Sequence, residues 1–214
     1  MRRGIATAAV VIAAMGLGRL ITDSLPLADA ADKPFFHAWA VGRTVPLAYA
    51  DVTVTGVHVT PTIMGNPASA AGGRWLVVDT AILARTAPTV MSGFFVVDAQ
   101  DRRWIASTRG PDCATSTKLA TGVPNYASIC FDVPERALTG ARLMATRGAW
   151  DSHESTFRRD DVAEIDLGIE AAEVGALWAG KDPVNVRPSG PVPPEPSPSS
   201  EPSPSSEPPQ GKSR

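Results

Sequence analysis

Three residues with acid–base chemistry stand almost side by side in the run AWDSHESTFRRDD: Asp151, His153 and Glu154. An imidazole between two carboxylates is the side-chain set of a general acid–base site, or of a site for a hard metal ion. The spacing matches no ligand motif, and the Ser, Thr, Arg and Asp residues around it read as a polar loop before a strand. The chain has three histidines in all. His58 lies between Val57 and Val59, so strand alternation turns it away from both and toward solvent. Zinc would need three or four convergent donors there. No GxSxG elbow, HExxH helix, phosphate-cradling glycine loop or EF-hand occurs, and Ser24, Ser107 and Ser128 have no motif partner. No catalytic, cofactor-binding or metal residue is assigned, and the reading is non-enzymatic. An envelope-polymer hydrolase using Asp151, His153 and Glu154 stands as the alternative.

The bulk properties exclude other classes. A net charge of -2 with both signs interspersed provides no basic field for nucleic acid. Of the aromatic side chains, Trp75, Trp104 and Phe131 are read as core. Trp104 is also weighed with Trp150 and Phe157, in or near loops, as part of a recognition surface.

The N-terminus places the chain in the cell. Arg2 and Arg3 precede the uncharged, apolar run Gly4–Gly18. Basic residues before such a run stay on the cytoplasmic side, while the chain beyond the run is exported. Residues 1–22 are therefore read as a membrane anchor or signal segment. Ala28-Asp29-Ala30 is a candidate cleavage site. It lies far beyond the apolar run, while Leu20 and Ile21 extend the run and Arg19 can snorkel. A single-pass protein with its domain and C-terminus outside is the expectation, and a secreted protein the alternative. In that oxidising compartment Cys113 and Cys130 are expected to pair. The bond would close a loop of about eighteen residues, worth roughly 3 kcal/mol in the chain-entropy model. Neither cysteine has a CxxC neighbour, so redox catalysis has no support.

The positioning elements are strands. Between residues 35 and 180, segments such as Thr44–Tyr49, Asp51–Ile63, Arg74–Ala84, Phe94–Asp98, Arg103–Ser107, Tyr126–Val133, Ala141–Arg147 and Val162–Leu167 alternate with Gly, Pro and Asp. Eight short strands at such spacing predict an all-β sandwich. Trp75–Val78 is apolar at every position, as for a central strand buried on both faces. The stretch DVTVTGVHV at 51–59 changes alternation phase at Gly56, which predicts one strand with a bulge at an edge or corner. Glu170–Trp178 reads as a short terminal helix. Residues 23–34 read as a linker. Residues 181–214, with the hexamer EPSPSS at 195–200 and again at 201–206, read as a disordered Pro/Ser-rich tail.

The segments KPF at 33–35, YADVTVTGV at 49–57, WLVVD at 75–79, CFDVP at 130–134 and IDLG at 165–168 carry a family resemblance. The chain resembles the immunoglobulin-like domain of exported and membrane-anchored proteins of high-GC Gram-positive bacteria, related to their secreted immunogenic antigens. The resemblance implies an immunoglobulin-like β-sandwich outside the membrane, for the most part without assigned activity. The cysteines depart from antibody-type domains: both are late and close together, so a bond would staple a loop to a strand and not bridge the sheets. The expected partners are the membrane, through the N-terminal segment, and an envelope protein or cell-wall component. A small-ligand carrier using the space between the sheets is the further alternative.

Overall fold

The computed structural model describes residues 12–21, 34–148 and 160–193. Residues 12–21 are helical and exposed. Among the described residues no helix is long and apolar enough to cross a membrane; the rest of the predicted 1–22 segment lies outside them.

The folded domain runs β1 (Phe35–Ala40), β2 (Thr44–Pro46), β3 (Ala50–Met64), β4 (Ser69–Ala84), β5 (Thr89–Met91), β6 (Gly93–Val97), β7 (Arg103–Ile105), β8 (Thr117–Leu119), β9 (Pro124–Val133), β10 (Arg142–Thr146), β11 (Asp161–Asp166), α1 (Ala171–Ala179) and β12 (Val184–Asn185). The first sheet has the order β1-β11-β10-β6-β7, the second β12-β3-β4-β9 with β2 beside β3, and β5 and β8 make a small hairpin-like sheet. In sequence order, β3, β4 and β9 take the places of strands A, B and E of an immunoglobulin domain. Strands β6, β7, β10 and β11 take those of C, C′, F and G. The fold is an immunoglobulin-like sandwich, with β1 running parallel to β11 at the free edge.

One apolar core fills the space between the sheets. Val52, Val54, Leu76, Val78, Ile82, Ile129 and Phe131 from the second sheet meet Phe94, Val96, Leu143, Ala145, Ala163 and Ile165 from the first. A ligand between the sheets would have to displace these side chains. Helix α1 closes one end, its first turn held by a capping box between Glu170 and Glu173. Val174 is buried, and Leu177 and Trp178 pack against the core. Arg74 donates to the Gly180 carbonyl at 2.9 Å and lies 5.5 Å over the Trp178 ring.

The phase change in DVTVTGVHV is a bulge within the single strand β3. Val54 pairs with Thr80 and Gly56 with Asp79, so Thr55 is the extra residue. A second register shift falls between Thr60 and Thr62. The outer edge of β3 is divided: β2 covers Asp51–Thr53 and β12 covers Ile63–Met64.

Residues 181–193, read from the sequence as tail, belong to the fold. After β12, Val186 is buried with Ile63, Trp75, Val77 and Cys130 on the outer face of the second sheet. Ser189 Oγ lies 2.5 Å from Thr117 Oγ1 and 2.6 Å from Asn125 Oδ1. Gly190 then exchanges backbone hydrogen bonds with Tyr126. This segment is a strap from the β3 edge to the far side of β9. Residues 194–214, with both hexamers, lie outside the described residues.

Candidate functional site

Cys113 and Cys130 are bonded, with their Cα atoms 5.6 Å apart. Cys130 is fully buried on β9, and Cys113 comes from the loop before β8. The bond ties that loop to a strand of one sheet, as the cysteine spacing implies.

The candidate acid–base residues Asp151, His153 and Glu154 lie outside the described residues, as do Trp150 and Phe157. His58 is half-exposed, and its Nε2 lies 3.2 Å from Asp79 Oδ2. Asp79 Oδ1 in turn accepts a 2.7 Å hydrogen bond from the Ser128 hydroxyl. The hydrogen bond with Asp79 raises the His58 pKa above its ordinary value, against the opposing effect of partial burial. The three side chains form a line with the carboxylate in the middle. A nucleophilic serine needs the imidazole at its hydroxyl, and here the carboxylate occupies that place. The arrangement is a cross-strand tether over β3, β4 and β9. Gly56 makes room for it: a Cβ there would stand 3.1 Å from His58 Nε2 and 3.2 Å from Asp79 Oδ2. Among the described residues no group of three or more His, Cys, Asp or Glu side chains could hold a metal ion.

His37 on β1 belongs to a second polar cluster at the end where the chain enters the domain. Its Nε2 lies 3.1 Å from Asp161 Oδ1, out of line for a hydrogen bond. Asp161 Oδ2 accepts the Ala48 N–H at 2.5 Å. The Tyr49 hydroxyl donates to the Asp161 carbonyl at 2.7 Å and accepts the Arg147 N–H at 3.2 Å. Burial pushes the Tyr49 pKa up to about 12. Arg147 lies 4.3 Å over the Tyr49 ring and grips Asp160 with two hydrogen bonds of 2.9 Å. The contacts of Ala48 and Tyr49 with Asp161 and Arg147 brace the two sheets against each other.

A concave site lies on the outer face of the first sheet. Period-two alternation sends Phe94 and Val96 of β6 into the core and Phe95 and Val97 outward. Register then aligns the outward residues in rows: Arg103, Val97 and Arg142; Phe95, Met144 and Glu164; and, toward the chain's entry end, Gly93 with Thr146 and Val162 with Phe36. Phe95, Val97, Met144 and Val162 form a separate apolar cluster. These residues line a groove of about 390 Å³, with Asp101 and the Arg and Glu side chains at its rim and Phe36 on its wall. Arg142 is the hub of the rim. It donates to Glu164 and, at 3.0 Å, to Asp101 Oδ1. The Arg103 guanidinium lies 5.9 Å over the Phe95 ring. A groove of this size falls in the range of small-molecule and peptide side-chain sites. Its apolar floor suits a hydrophobic group, and the rim offers fixed donors and acceptors beside it.

Asp98 positions that rim. It closes the β6–β7 turn by accepting from the N–H groups of Gln100 and Arg102 and, at 2.7 Å, from Arg102 Nε. Burial alone would raise its pKa, but these hydrogen bonds outweigh it and hold the carboxyl below its usual value. Asp101, in this turn, has φ of 57°.

Searches against protein-family descriptions and against curated proteins found no match. Solved structures do align. The yjhA protein of Bacillus subtilis is 14% identical over 59% of this chain and 99% of its own, with a TM-score of 0.42. The secreted protein MPT63 of Mycobacterium tuberculosis is 14% identical over 62% of this chain and 98% of its own, also at 0.42. An uncharacterized β-sandwich protein of Clostridium difficile 630 is 9% identical over 62% and 96%, at 0.36. The sandwich assignment rests on this chain's own strand order.

Proposed function

We propose that this chain is a non-enzymatic extracytoplasmic binding domain, held at the membrane by residues 1–22. Its groove on the first sheet takes an apolar segment of an envelope protein or a cell-wall component. The observation that carries this reading is the groove itself, an apolar floor of Phe95, Val97, Met144 and Val162 beneath a rim of Asp101, Arg103, Arg142 and Glu164. Aromatic and arginine side chains around a desolvated apolar patch are what protein recognition sites are made of. The disulfide and the basic, then apolar, N-terminus support a location outside the cytoplasm. So does the resemblance to the exported immunoglobulin-like domains of high-GC Gram-positive bacteria.

The test is a photo-reactive phenylalanine analogue at position 36, with position 58 as control, in intact cells. Irradiation should give a discrete adduct from position 36 alone, and Arg142→Glu should abolish it. Equal labelling from both positions, or an adduct indifferent to Arg142→Glu, would remove the groove from consideration. The groove's volume also admits a small amphipathic ligand. Native mass spectrometry of purified protein should then show a bound mass that Arg142→Glu removes.

A further inference from the structure

The end of the sandwich where the chain enters carries a second, different surface. Phe35 opens β1 and is 61% exposed, and Phe36 beside it is 55% exposed. From Phe35 a continuous line of contacts crosses to the other sheet. Phe35 pairs with Asp161, whose carbonyl binds the Tyr49 hydroxyl. The Tyr49 carbonyl accepts the Arg85 N–H, and the Ala84 carbonyl accepts the Gly122 N–H. The line ends in the tight turn at residues 120–123, where Gly122 has φ of 74° and Val123 is 43% exposed. Next to that turn the β5–β8 pair sets Val90, 45% exposed, opposite exposed Lys118. Outside the groove, this end thus exposes Phe35, two valines and a lysine. Among the described residues the carboxylates nearby are engaged: Asp160 with Arg147, Asp161 with the Ala48 N–H, and Asp51 with Arg85. Other exposed apolar side chains include Met64 and Ile105 on separate strands, and Trp39 and Val41 at the far end of β1.

We infer that this end of the domain rests on the phospholipid bilayer, with Phe35, Val90 and Val123 at the level of the headgroups. The inference rests on the proposed anchoring by residues 1–22, and the same stretch of chain supplies its reason. Residues 23–34 join the anchor segment to Phe35, and twelve residues span at most about 43 Å even fully extended. The domain is therefore kept near the surface, with its entry end leading. Phenylalanine and aliphatic side chains next to a lysine, with Asp160 and Asp51 paired to arginines, suit an interface with anionic lipid. The bound face leaves the rim of the groove, at the opposite end of β6 and β10, directed away from the membrane.

The experiment uses the full chain in vesicles of phosphatidylethanolamine and phosphatidylglycerol that contain acyl-brominated phospholipid. Phe35→Trp and Val123→Trp add a reporter at the entry end, and Gln100→Trp adds one in the opposite turn. All three are first matched to the parent's urea midpoint. Bromolipid should quench the added emission at residues 35 and 123 at least about twofold, and leave that at residue 100 unchanged. Vesicle flotation with equal quenching at the three positions, or with none at 35 and 123, overturns the docking face and leaves anchoring standing. Failure of the full chain to float with vesicles overturns anchoring, and docking with it.

Discussion

Removing the Cys113–Cys130 bond by the double substitution to alanine should cost the domain about 3 kcal/mol. The figure comes from loop length. The cysteines are 17 positions apart, and the chain-entropy expression for a loop of that size gives about 3 kcal/mol of restraint on the unfolded chain at 25 °C. A packing loss adds to it, because Cys130 is fully buried against Trp75, Val77 and Ile63. With a urea m-value of roughly 2 kcal/mol/M for a domain of this size, the midpoint should fall by about 1.5 M. Reduced parent protein separates the two contributions, since it keeps both side chains and loses only the restraint. It should account for most of the shift. Reduced parent protein unfolding at the oxidised midpoint, with only the alanine variant destabilised, would refute the loop argument and leave packing as the whole effect. A midpoint unchanged in both would mean that the loop carrying Cys113 is held by its other contacts.

Three further outcomes rest on the same geometry. The His58 pKa is raised by Asp79, so the stabilisation from this pair is fully present below about pH 6.5 and is lost as pH rises through the folded-state value. NMR titration should place His58 above its ordinary value in the parent and at it in Gly56→Ala, whose methyl group crowds the imidazole. Tyr49→Phe strands the Arg147 N–H and leaves the Asp161 carbonyl only the long bond from the Thr146 hydroxyl, and should cost about 1–3 kcal/mol in urea titrations. It should also remove the loss of stability that the parent shows as pH climbs from 10.0 to about 12. A Cβ at Gly93 would run into the Gly148 carbonyl oxygen and the Thr146 methyl, so Gly93→Ala should lower the thermal midpoint by about 10 °C, measured by circular dichroism.

The strands were legible where a residue pattern and a breaker coincide. Each of the eight predicted segments contains a strand, though Thr44–Tyr49 and Arg103–Ser107 are strand only over their first three residues, and the helix starts one residue after its predicted Glu170. Strand β1 was not legible, because FFHAWA has no buried face to impose alternation; five of its six residues are exposed. β12 was hidden by its proline-rich surroundings, where only Val184 and Val186 have the bulk to mark positions packed on the sheet. The groove was illegible for a different reason. In GFFVV every position is buried, so the sequence alone cannot say which two side chains leave the core. Arg142 and Glu164 meet only through the β10–β11 register. His58, Asp79 and Ser128 likewise come from three strands whose alignment no local pattern records.

Both outer faces of the sandwich carry an apolar cluster, and the chain treats them differently. On the second sheet, Ile63, Trp75, Val77 and Cys130 are sealed by Val186 of the strap and by the disulfide-bound loop. On the first, Phe95, Val97, Met144 and Val162 line a groove whose wall, Phe36, is more than half exposed. A face sealed by its own chain contributes to folding, while a concave face with an accessible aromatic wall contributes to recognition. The two roles separate experimentally. Val186→Asp places a carboxylate where the side chain is 8% exposed and should cost about 3 kcal/mol or more. Phe36→Ser changes a side chain already largely in water and should move stability by less than about 1 kcal/mol, yet it should weaken any ligand found for the groove. A Phe36→Ser variant as unstable as Val186→Asp would make the first face part of the folding core, and the division between a sealed sheet and a receptive one would fall.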